Sequence, residues 1–308
     1  MTQPFLLRRR DFVRLLGAGG AASLFPGAPR AAGPLVRALP SSEESLPLVG
    51  LGSWITFNVG DDPAARNDCA RVMEAFFAAG GRMIDSSPMY GSSQSVIGYG
   101  LSKLGMREAV FSADKVWTGS GRRGPTQIEE SRRQWGVPRF DLLQVHNLLA
   151  WEEHLPILFG MKAEGRLRHV GITTSEGRRH GEFVRIMESQ PLDFIQVTYN
   201  PLDREVERRI LPLAAERGIG VIVNRPFRQG ALTRTLEGEP LPGWAADIGC
   251  RTWAQAILKF IIAHPAVTCA IPATTRVDHA RENMAAAIDP LPDAKLRRRM
   301  ASDIEKRA

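Results

Sequence analysis

Residues 168–200 read RHVGITTSEGRRHGEFVRIMESQPLDFIQVTYN and contain the repeating unit that decides the fold class. An apolar run rich in Val and Ile (168–175) is followed by an amphipathic stretch of helical length (177–188) and by a second apolar run (193–200). Apolar strands separated by helices of about 10–15 residues predict parallel strands in a sheet that is covered on both faces.

The same unit of strand and helix occurs eight times between residues 47 and 287. The predicted strands cover 47–54, 81–87, 108–116, 140–147, 168–175, 193–200, 218–226 and 266–275. The predicted helices cover 64–79, 93–104, 126–135, 152–164, 177–188, 203–217, 251–262 and 276–287. Eight units in about 250 residues predict a single (β/α)8 TIM barrel. We assign the barrel domain to residues 46–308, the last part being a basic helix at 292–306.

A doubly wound open sheet is the alternative architecture for the same rhythm of strands and helices. It would need a GxGxxG turn after its first strand, because that turn brings the backbone close to a bound dinucleotide. The corresponding stretch here, GLGSWITF at 50–57, does not supply one. No linker interrupts residues 47–290, which favours one domain.

The first 32 residues have the layout of an export signal. A basic stretch is followed by a weakly apolar run (15–25) and then by small residues. The sequence RRDFVR at 9–14 resembles a twin-arginine (Tat) signal, which predicts a Tat-like signal peptide over residues 1–32. The Tat export machinery would then deliver the protein, already folded, to a bacterial periplasm.

The membrane itself is not expected to hold this N-terminal segment. Its apolar run is shorter than the about 20 apolar residues that span a bilayer, so we expect no stable membrane insertion. An amphipathic N-terminal helix is the alternative, and a signal that does not function would leave the protein in the cytoplasm.

The charge and the cysteines exclude other classes of function. The formal net charge is +7, and residues 1–32, with five arginines and one aspartate, hold +4 of it. The remaining excess is too small to predict nucleic-acid binding. Cys69, Cys250 and Cys269 are widely separated and form no CxxC pair, so no metal site is expected.

Polar side chains follow most of the predicted strands at the end where a TIM barrel holds its working residues. Asp85, Lys115 and His146 end three consecutive strands. Taken alone, Asp85 is typical of a helix N-cap, Lys115 of a solvent-exposed side chain, and His146 of a core residue with its hydrogen bonds made. The barrel, however, would place all three in one ring. The later strands end in Thr173, Thr174, Gln196, Asn224 and Pro272 to Thr275.

From about residue 46 to 288 the chain resembles the aldo-keto reductases. The motifs that carry the resemblance are GLGSW (50–54), Asp85 with MYGSSQSVIGYGL (89–101), DKVW (114–117), LLQVHN (142–147), HVGITTS (169–175), DFIQVTYNPL (193–202) and IPATTRVDHAREN (271–283). The resemblance implies NADPH-dependent reduction of an aldehyde or ketone to an alcohol. It also implies a catalytic tetrad, which falls on Asp85, Tyr90, Lys115 and His146.

The chemistry of carbonyl reduction explains why these four residue types belong together. Hydride transfer builds negative charge on the carbonyl oxygen, so a positioned acid must supply a proton. We expect Tyr90 to be that acid and Lys115 to lower its pKa toward the working range. Asp85 would hold Lys115 in place, and His146 would donate to the substrate oxygen and orient it.

The resemblance also implies cofactor contacts. Gly52, Ser53 and Trp54 would line the nicotinamide-ribose side, Gln196 would bind the carboxamide, and Asp85 is also expected to contact the cofactor. The remaining expected cofactor residues are Thr173, Thr174, Asn224, Pro272, Thr274, Thr275, Arg276, Glu282 and Asn283. Arg276 can pair with a 2′-phosphate, so NADPH is expected over NADH. The chain departs from common relatives at Asn224, where an aromatic ring usually stacks, and at Ala273 and His279, where some members place cations.

The substrate pocket is expected to be open. Trp54 and Trp117 would form its walls beside His146, and the alternative is that both tryptophans pack in the core. Residues 225–250 predict a long loop that covers the site, in which Arg225 and Arg228 would meet a pyrophosphate or an acidic substrate.

Two other functions stay open. One is a nucleotide-binding, redox-sensing subunit with little turnover, and the other is a barrel isomerase or lyase with a glycine-rich phosphate site.

Overall fold

The computed structural model describes residues 33–40, 42–288 and 290–308. The predicted signal peptide, residues 1–32, lies outside the described residues. The strands are β1 (Val36–Ala38), β2 (Ser45–Pro47), β3 (Leu51–Gly52), β4 (Met83–Asp85), β5 (Phe111–Val116), β6 (Phe140–Val145), β7 (Leu167–Thr173), β8 (Phe194–Thr198), β9 (Gly220–Asn224) and β10 (Cys269–Ala270). Strands β3 to β10 form one eight-stranded sheet in sequence order, and every adjacent pair is parallel.

The sheet closes between its first and last strands. Parallel bridges join Val49 to Ala270 and Gly52 to Ala273, and the Gly52 N–H donates to the carbonyl of Pro272 at 3.0 Å. A Cβ atom at Gly52 would lie 2.8 Å from the carbonyl oxygen of Ile271, so only glycine permits this approach of the two backbones. The predicted (β/α)8 TIM barrel is confirmed.

Helices lie between the barrel strands and after the last of them, on the outside of the ring. They are α1 (Pro63–Ala78), α2 (Ser93–Leu104), α3 (Gly124–Trp135), α4 (Trp151–Ala163), α5 (His180–Ser189), α6 (Ile210–Glu216), α7 (Ala231–Thr235), α8 (Trp244–Asp247), α9 (Trp253–Ile262), α10 (Val277–Ala285) and α11 (Ala294–Glu305). None of the described helices has the length and apolar character needed to cross a membrane.

Two predicted segments differ from the structure. The helix predicted over 203–217 begins only at Ile210, after a 3-10 turn at Glu205–Glu207. Pro212 explains the late start, because proline is tolerated only in the first turn of a helix. The loop predicted over 225–250 contains α7 and α8, and the Trp244 ring lies 6.3 Å from the Trp253 ring.

A hairpin of β1 and β2, which was not predicted, covers the N-terminal end of the barrel. Leu39 and Leu46 from this hairpin are buried with side chains from inside the barrel, among them Phe111 and Phe194. Glu44 forms ion pairs with Arg82 and Arg168 at the same end. The hairpin therefore closes this end, and the opposite end, where the strands finish, is left for the site.

Candidate active site

Asp85 and Lys115 form a buried ion pair at the C-terminal end of the barrel. Asp85 is the last residue of β4, and Lys115 lies in the neighbouring strand β5. Lys115 Nζ lies 2.5 Å from Asp85 Oδ2 and also donates to the carbonyl of Ser86 at 2.8 Å. Burial alone would lower the pKa of Lys115, but the charge of Asp85 and the hydrogen bond to it raise the pKa overall. The ammonium group therefore stays charged inside the barrel mouth.

Tyr90 lies above this pair on the turn between β4 and α2. The Tyr90 N–H donates to the carbonyl of Ser87 at 3.0 Å, which closes the turn. Lys115 Nζ lies 5.2 Å from the centre of the Tyr90 ring. Burial raises the pKa of Tyr90, and the charge of Lys115 opposes this rise only in part. Lys115 thus lowers the pKa of Tyr90 as expected, but desolvation of the phenolate outweighs this effect, so the net shift of the pKa is upward.

His146 follows β6 and faces the Tyr90 ring edge-on, with the ring centres 5.7 Å apart. Burial, followed by the charge of Lys115, lowers the pKa of His146 to about 3. The imidazole is therefore neutral at physiological pH. Its Nδ1 atom lies 2.8 Å from Ser87 Oγ.

A chain of amide groups connects the other side of the mouth to Asp85. Asn224 Nδ2 donates to the carbonyl of Thr174 at 3.0 Å and, more distantly, to Gln196 Oε1 at 3.4 Å. Gln196 Nε2 donates to Asp85 Oδ1 at 2.8 Å. Thr198 donates to Asn224 Oδ1 at 2.7 Å. Asn224 thus helps to hold Gln196.

These groups line one continuous cavity of about 850 Å³. The expected residues that line it are Gly52, Ser53, Trp54, Asp85, Tyr90, His146, Thr173, Gln196, Asn224, Thr274, Glu282 and Asn283. Lys115 lies beneath the wall, held by Asp85. Arg251, which sequence reasoning did not find, and His279, which it named only as a departure from common relatives, also line the cavity.

A sequence model of the aldo/keto reductase family matches residues 48–302. The chain belongs to the aldo/keto reductase family. Methylglyoxal reductase YeaE of Escherichia coli is 28% identical over 263 residues, which cover 83% of this chain and 90% of that protein. The NADH-specific methylglyoxal reductase of the same organism is 30% identical over 245 residues, covering 67% and 72%. An aldo/keto reductase structure from Klebsiella pneumoniae, in complex with NADP and acetate, has a TM-score of 0.70 at 22% identity and covers 89% of this chain and 95% of its own.

Four expected cofactor residues of this aldo/keto reductase lie outside the cavity lining: Thr174, Pro272, Thr275 and Arg276. Arg276 is exposed and pairs with Asp278, with Nε 3.0 Å from Oδ1. It makes this ion pair because an acid two residues along the chain lies within its reach. Arg251, by contrast, takes part in no ion pair found within the described residues, and it lines the cavity.

Trp117 does not form the expected wall of the substrate pocket. It is 42% exposed, and its backbone N–H and carbonyl are both bonded to the side chain of Gln127. Trp54 lines the cavity, and its ring lies 6.5 Å from the Tyr90 ring. Ile55 and Met89, which sequence reasoning did not find, complete the apolar rim on this side.

The segment after β9 covers the cavity with a strained backbone. Arg225, Arg228 and Gln229 all have positive φ angles, of 50°, 49° and 59°. Such conformations cost about 1–3 kcal/mol each and persist where the surroundings hold them. Arg225 pairs with Glu176 at 2.7 Å and Arg228 pairs with Asp203 at 2.8 Å. Both arginines therefore already have an acidic partner within the protein, and Arg225 also lines the cavity. Their expected contact with a pyrophosphate or an acidic substrate stays a prediction.

Proposed function

We propose that this aldo/keto reductase reduces an aldehyde or ketone to an alcohol with NADPH and that Tyr90 supplies the proton. The observation that carries the proposal is the buried Lys115–Asp85 pair directly beneath a tyrosine and a neutral histidine at the wall of one cavity. Nothing in the fold requires a buried charge pair there, because hydrophobic residues of similar volume usually serve stability as well or better. Its position fits a proton donor that must be tuned.

The chemistry of the cavity wall fits a dinucleotide. The amides of Gln196 and Asn224 lie near the tetrad, and Arg251, His279 and Thr274 line the same cavity. An elongated ligand with a neutral amide ring at one end and phosphate at the other would satisfy both groups. NADPH, when bound, supplies the hydride that the carbonyl carbon accepts.

The protein's own residues would handle the proton and the charge on oxygen. The raised pKa of Tyr90 keeps the phenol protonated at neutral pH, which is the form that reduction requires. When the proton leaves, Lys115 stabilises the phenolate, and Asp85 keeps Lys115 charged and in place. His146 would donate to the substrate oxygen and orient it.

The choice of NADPH rests on a cation in the cavity lining. A 2′-phosphate needs a cation or several donors, and Arg251 is available there. The related structure from Klebsiella pneumoniae holds NADP. One relative is named as NADH-specific, so the cofactor is not uniform among similar proteins. Arg251 is the residue whose charge we expect to decide it here.

The alternative function is a nucleotide-binding, redox-sensing subunit with little turnover. Such a protein would need the cofactor contacts but not a tuned acid beside them. The intact arrangement of Asp85, Lys115, Tyr90 and His146 favours the enzyme.

The test is a titration of the full-length protein with NADPH and with NADH, followed by nicotinamide absorbance after carbonyl addition. The panel includes methylglyoxal, aromatic aldehydes and ketones. Carbonyl-dependent loss of NADPH is the expected result. Tight binding with no turnover on any compound would establish the sensing subunit instead, and no binding of either nucleotide would contradict both functions.

We also propose that the protein acts after export. The Tat-like sequence at 9–14 supports this location, since the Tat route carries folded proteins that already hold a cofactor. The test is cell fractionation of the full chain and of an R9K/R10K variant. The wild-type protein is expected in the periplasm and the variant in the cytoplasm, and a cytoplasmic wild-type protein would contradict the proposal.

A further inference from the structure

Ser87 is buried between the backbone of its own turn and the ring of His146. Its side chain is fully withdrawn from solvent. The Met89 N–H donates to Ser87 Oγ at 3.2 Å, and Ser87 Oγ lies 2.8 Å from His146 Nδ1. Ser87 is two residues from Asp85 and three from Tyr90, so the same turn carries all three side chains.

The hydrogen-bond capacity of these groups allows only one satisfactory arrangement. A serine hydroxyl has one proton to donate, and a neutral imidazole has one donor nitrogen and one acceptor nitrogen. If His146 Nδ1 carried the proton, it would donate to Ser87 Oγ, and the buried hydroxyl proton would have no acceptor within the described residues. Leaving a buried donor unsatisfied is costly. The hydroxyl therefore donates to Nδ1, and Nε2 carries the imidazole proton.

The other face of the ring is consistent with this assignment. His146 lines the cavity beside Tyr90, and no hydrogen bond to Nε2 is present in the described part of the chain. Burial and Lys115 keep the imidazole neutral, so its tautomer decides whether it presents a donor or an acceptor to the substrate. A carbonyl oxygen needs a donor.

We propose that Ser87 is a positioning residue that fixes the tautomer of His146, so that Nε2–H is aimed at the carbonyl oxygen of the substrate. This inference rests on the proposed reductase function for its consequence but not for its geometry. Ser87 acts only through His146. The hydrogen bond from the Met89 N–H to Ser87 Oγ orients the hydroxyl group toward the His146 ring, so the backbone of the turn also helps to fix the tautomer.

The direct test is ¹⁵N NMR of the full-length protein with labelled histidine, without cofactor or substrate. The chain has six histidines, and an H146Q variant identifies the resonances of His146. The expected wild-type spectrum at neutral pH shows Nε2 protonated and Nδ1 as an acceptor. The S87A spectrum is expected to show a mixture of the two tautomers. A wild-type His146 with the proton on Nδ1 would overturn the inference, as would an S87A spectrum identical to wild type.

Kinetics give the functional side of the test. Removing one donor to a developing oxyanion typically costs about 100-fold or more in kcat. S87A leaves part of the histidine in the correct tautomer, so we expect a loss of about tenfold in kcat with unchanged affinity for NADPH. S87T keeps a hydroxyl and should restore both the tautomer and kcat. A folded S87T protein with the correct tautomer and the low kcat of S87A would contradict the inference.

The matched control is S112A. Ser112 is also a buried barrel serine, but its hydroxyl bonds to Asp141 at the opposite end of the barrel. We expect S112A to leave the His146 tautomer unchanged. If S112A changed the tautomer as much as S87A does, the effect would come from the loss of any buried serine and would contradict the inference. Because the NMR test needs no turnover, an inactive wild-type protein would refute the proposed function and leave the tautomer result intact.

Discussion

Lys115 Nζ lies 2.5 Å from Asp85 Oδ2, and both side chains are almost completely withdrawn from solvent. Two charges in such surroundings are stable only together, because removing either partner leaves the other buried and uncompensated. A single substitution at either residue should therefore lower both the free energy of unfolding and turnover. Replacing both residues together should restore stability without restoring turnover.

K115M should destabilise the protein and abolish turnover. The free energy of unfolding is expected to fall by about 3–5 kcal/mol, because Asp85 stays buried without its cation. The double variant D85N/K115M should recover most of that loss while remaining inactive, since no charge is left to tune Tyr90. Denaturant unfolding and turnover measured on the same samples check both parts. Wild-type turnover in K115M would contradict the assigned role of the pair.

Because the Asp114 carboxyl is buried, the free energy of unfolding should decrease as the pH rises. This carboxyl is fully buried, and its bonds to Gln94 and to the Lys115 N–H only partly offset the desolvation that raises its pKa from 3.8 to about 7. Between these two values the folded state binds more protons than the unfolded state, so the free energy of unfolding decreases with pH across that window.

The variant D114N should remove this contribution. We expect it to be more stable than wild type at pH values above the window by an amount of order 1–4 kcal/mol, and close to wild type below it. The measurement is a series of denaturant titrations across the window for both proteins. Parallel pH profiles for wild type and D114N would contradict the prediction.

Arg251 should distinguish NADPH from NADH. A charge-assisted hydrogen bond to the 2′-phosphate is worth about 1.5–3 kcal/mol, so R251A is expected to weaken NADPH binding by at least about tenfold. Binding of NADH should change little. R276A is the matched control, because Arg276 already pairs with Asp278 outside the cavity. Fluorescence titration gives both affinities, and a larger effect of R276A than of R251A would restore the original expectation from the sequence.

Trp54 and Trp117 should differ in their effect on the carbonyl substrate. Trp54 lines the cavity near Tyr90, whereas Trp117 is partly exposed and outside the lining. At saturating NADPH, W54A should raise KM for a bulky aldehyde by roughly tenfold, equivalent to about 1.4 kcal/mol of lost contact. W117A should leave KM near the wild-type value. Equal effects would mean that the pocket extends across Trp117.

The parts of the fold that could be predicted are those that depend on the order of apolar and polar residues. The barrel strands and the helices between them appear as alternating patterns. Asp85, Lys115 and His146 could be placed together because parallel strands end at one rim, whereas Tyr90 was assigned from the resemblance to the family. The hairpin of β1 and β2 was missed because two three-residue strands leave almost no pattern.

The partners and the burial of individual side chains could not be predicted from the pattern of apolar and polar residues. Arg276 was expected at the cofactor but pairs with Asp278, and that outcome depends on a local ion pair rather than on periodicity. The direction of the pKa of Tyr90 depends on how deeply the ring is desolvated. Ser87 lies between Asp85 and Tyr90 in the sequence, and only its contact with the His146 ring in the structure shows its role.

Single-turnover reduction by Y90F, compared with wild type on the same carbonyl, tests the central claim most directly. Phenylalanine keeps the ring between Trp54 and His146 and removes only the hydroxyl. We predict unchanged affinity for NADPH and a loss of turnover of at least about 100-fold, the lower bound for a positioned general acid. Turnover by Y90F within a few-fold of wild type would show that the proton comes from another group and would contradict the account.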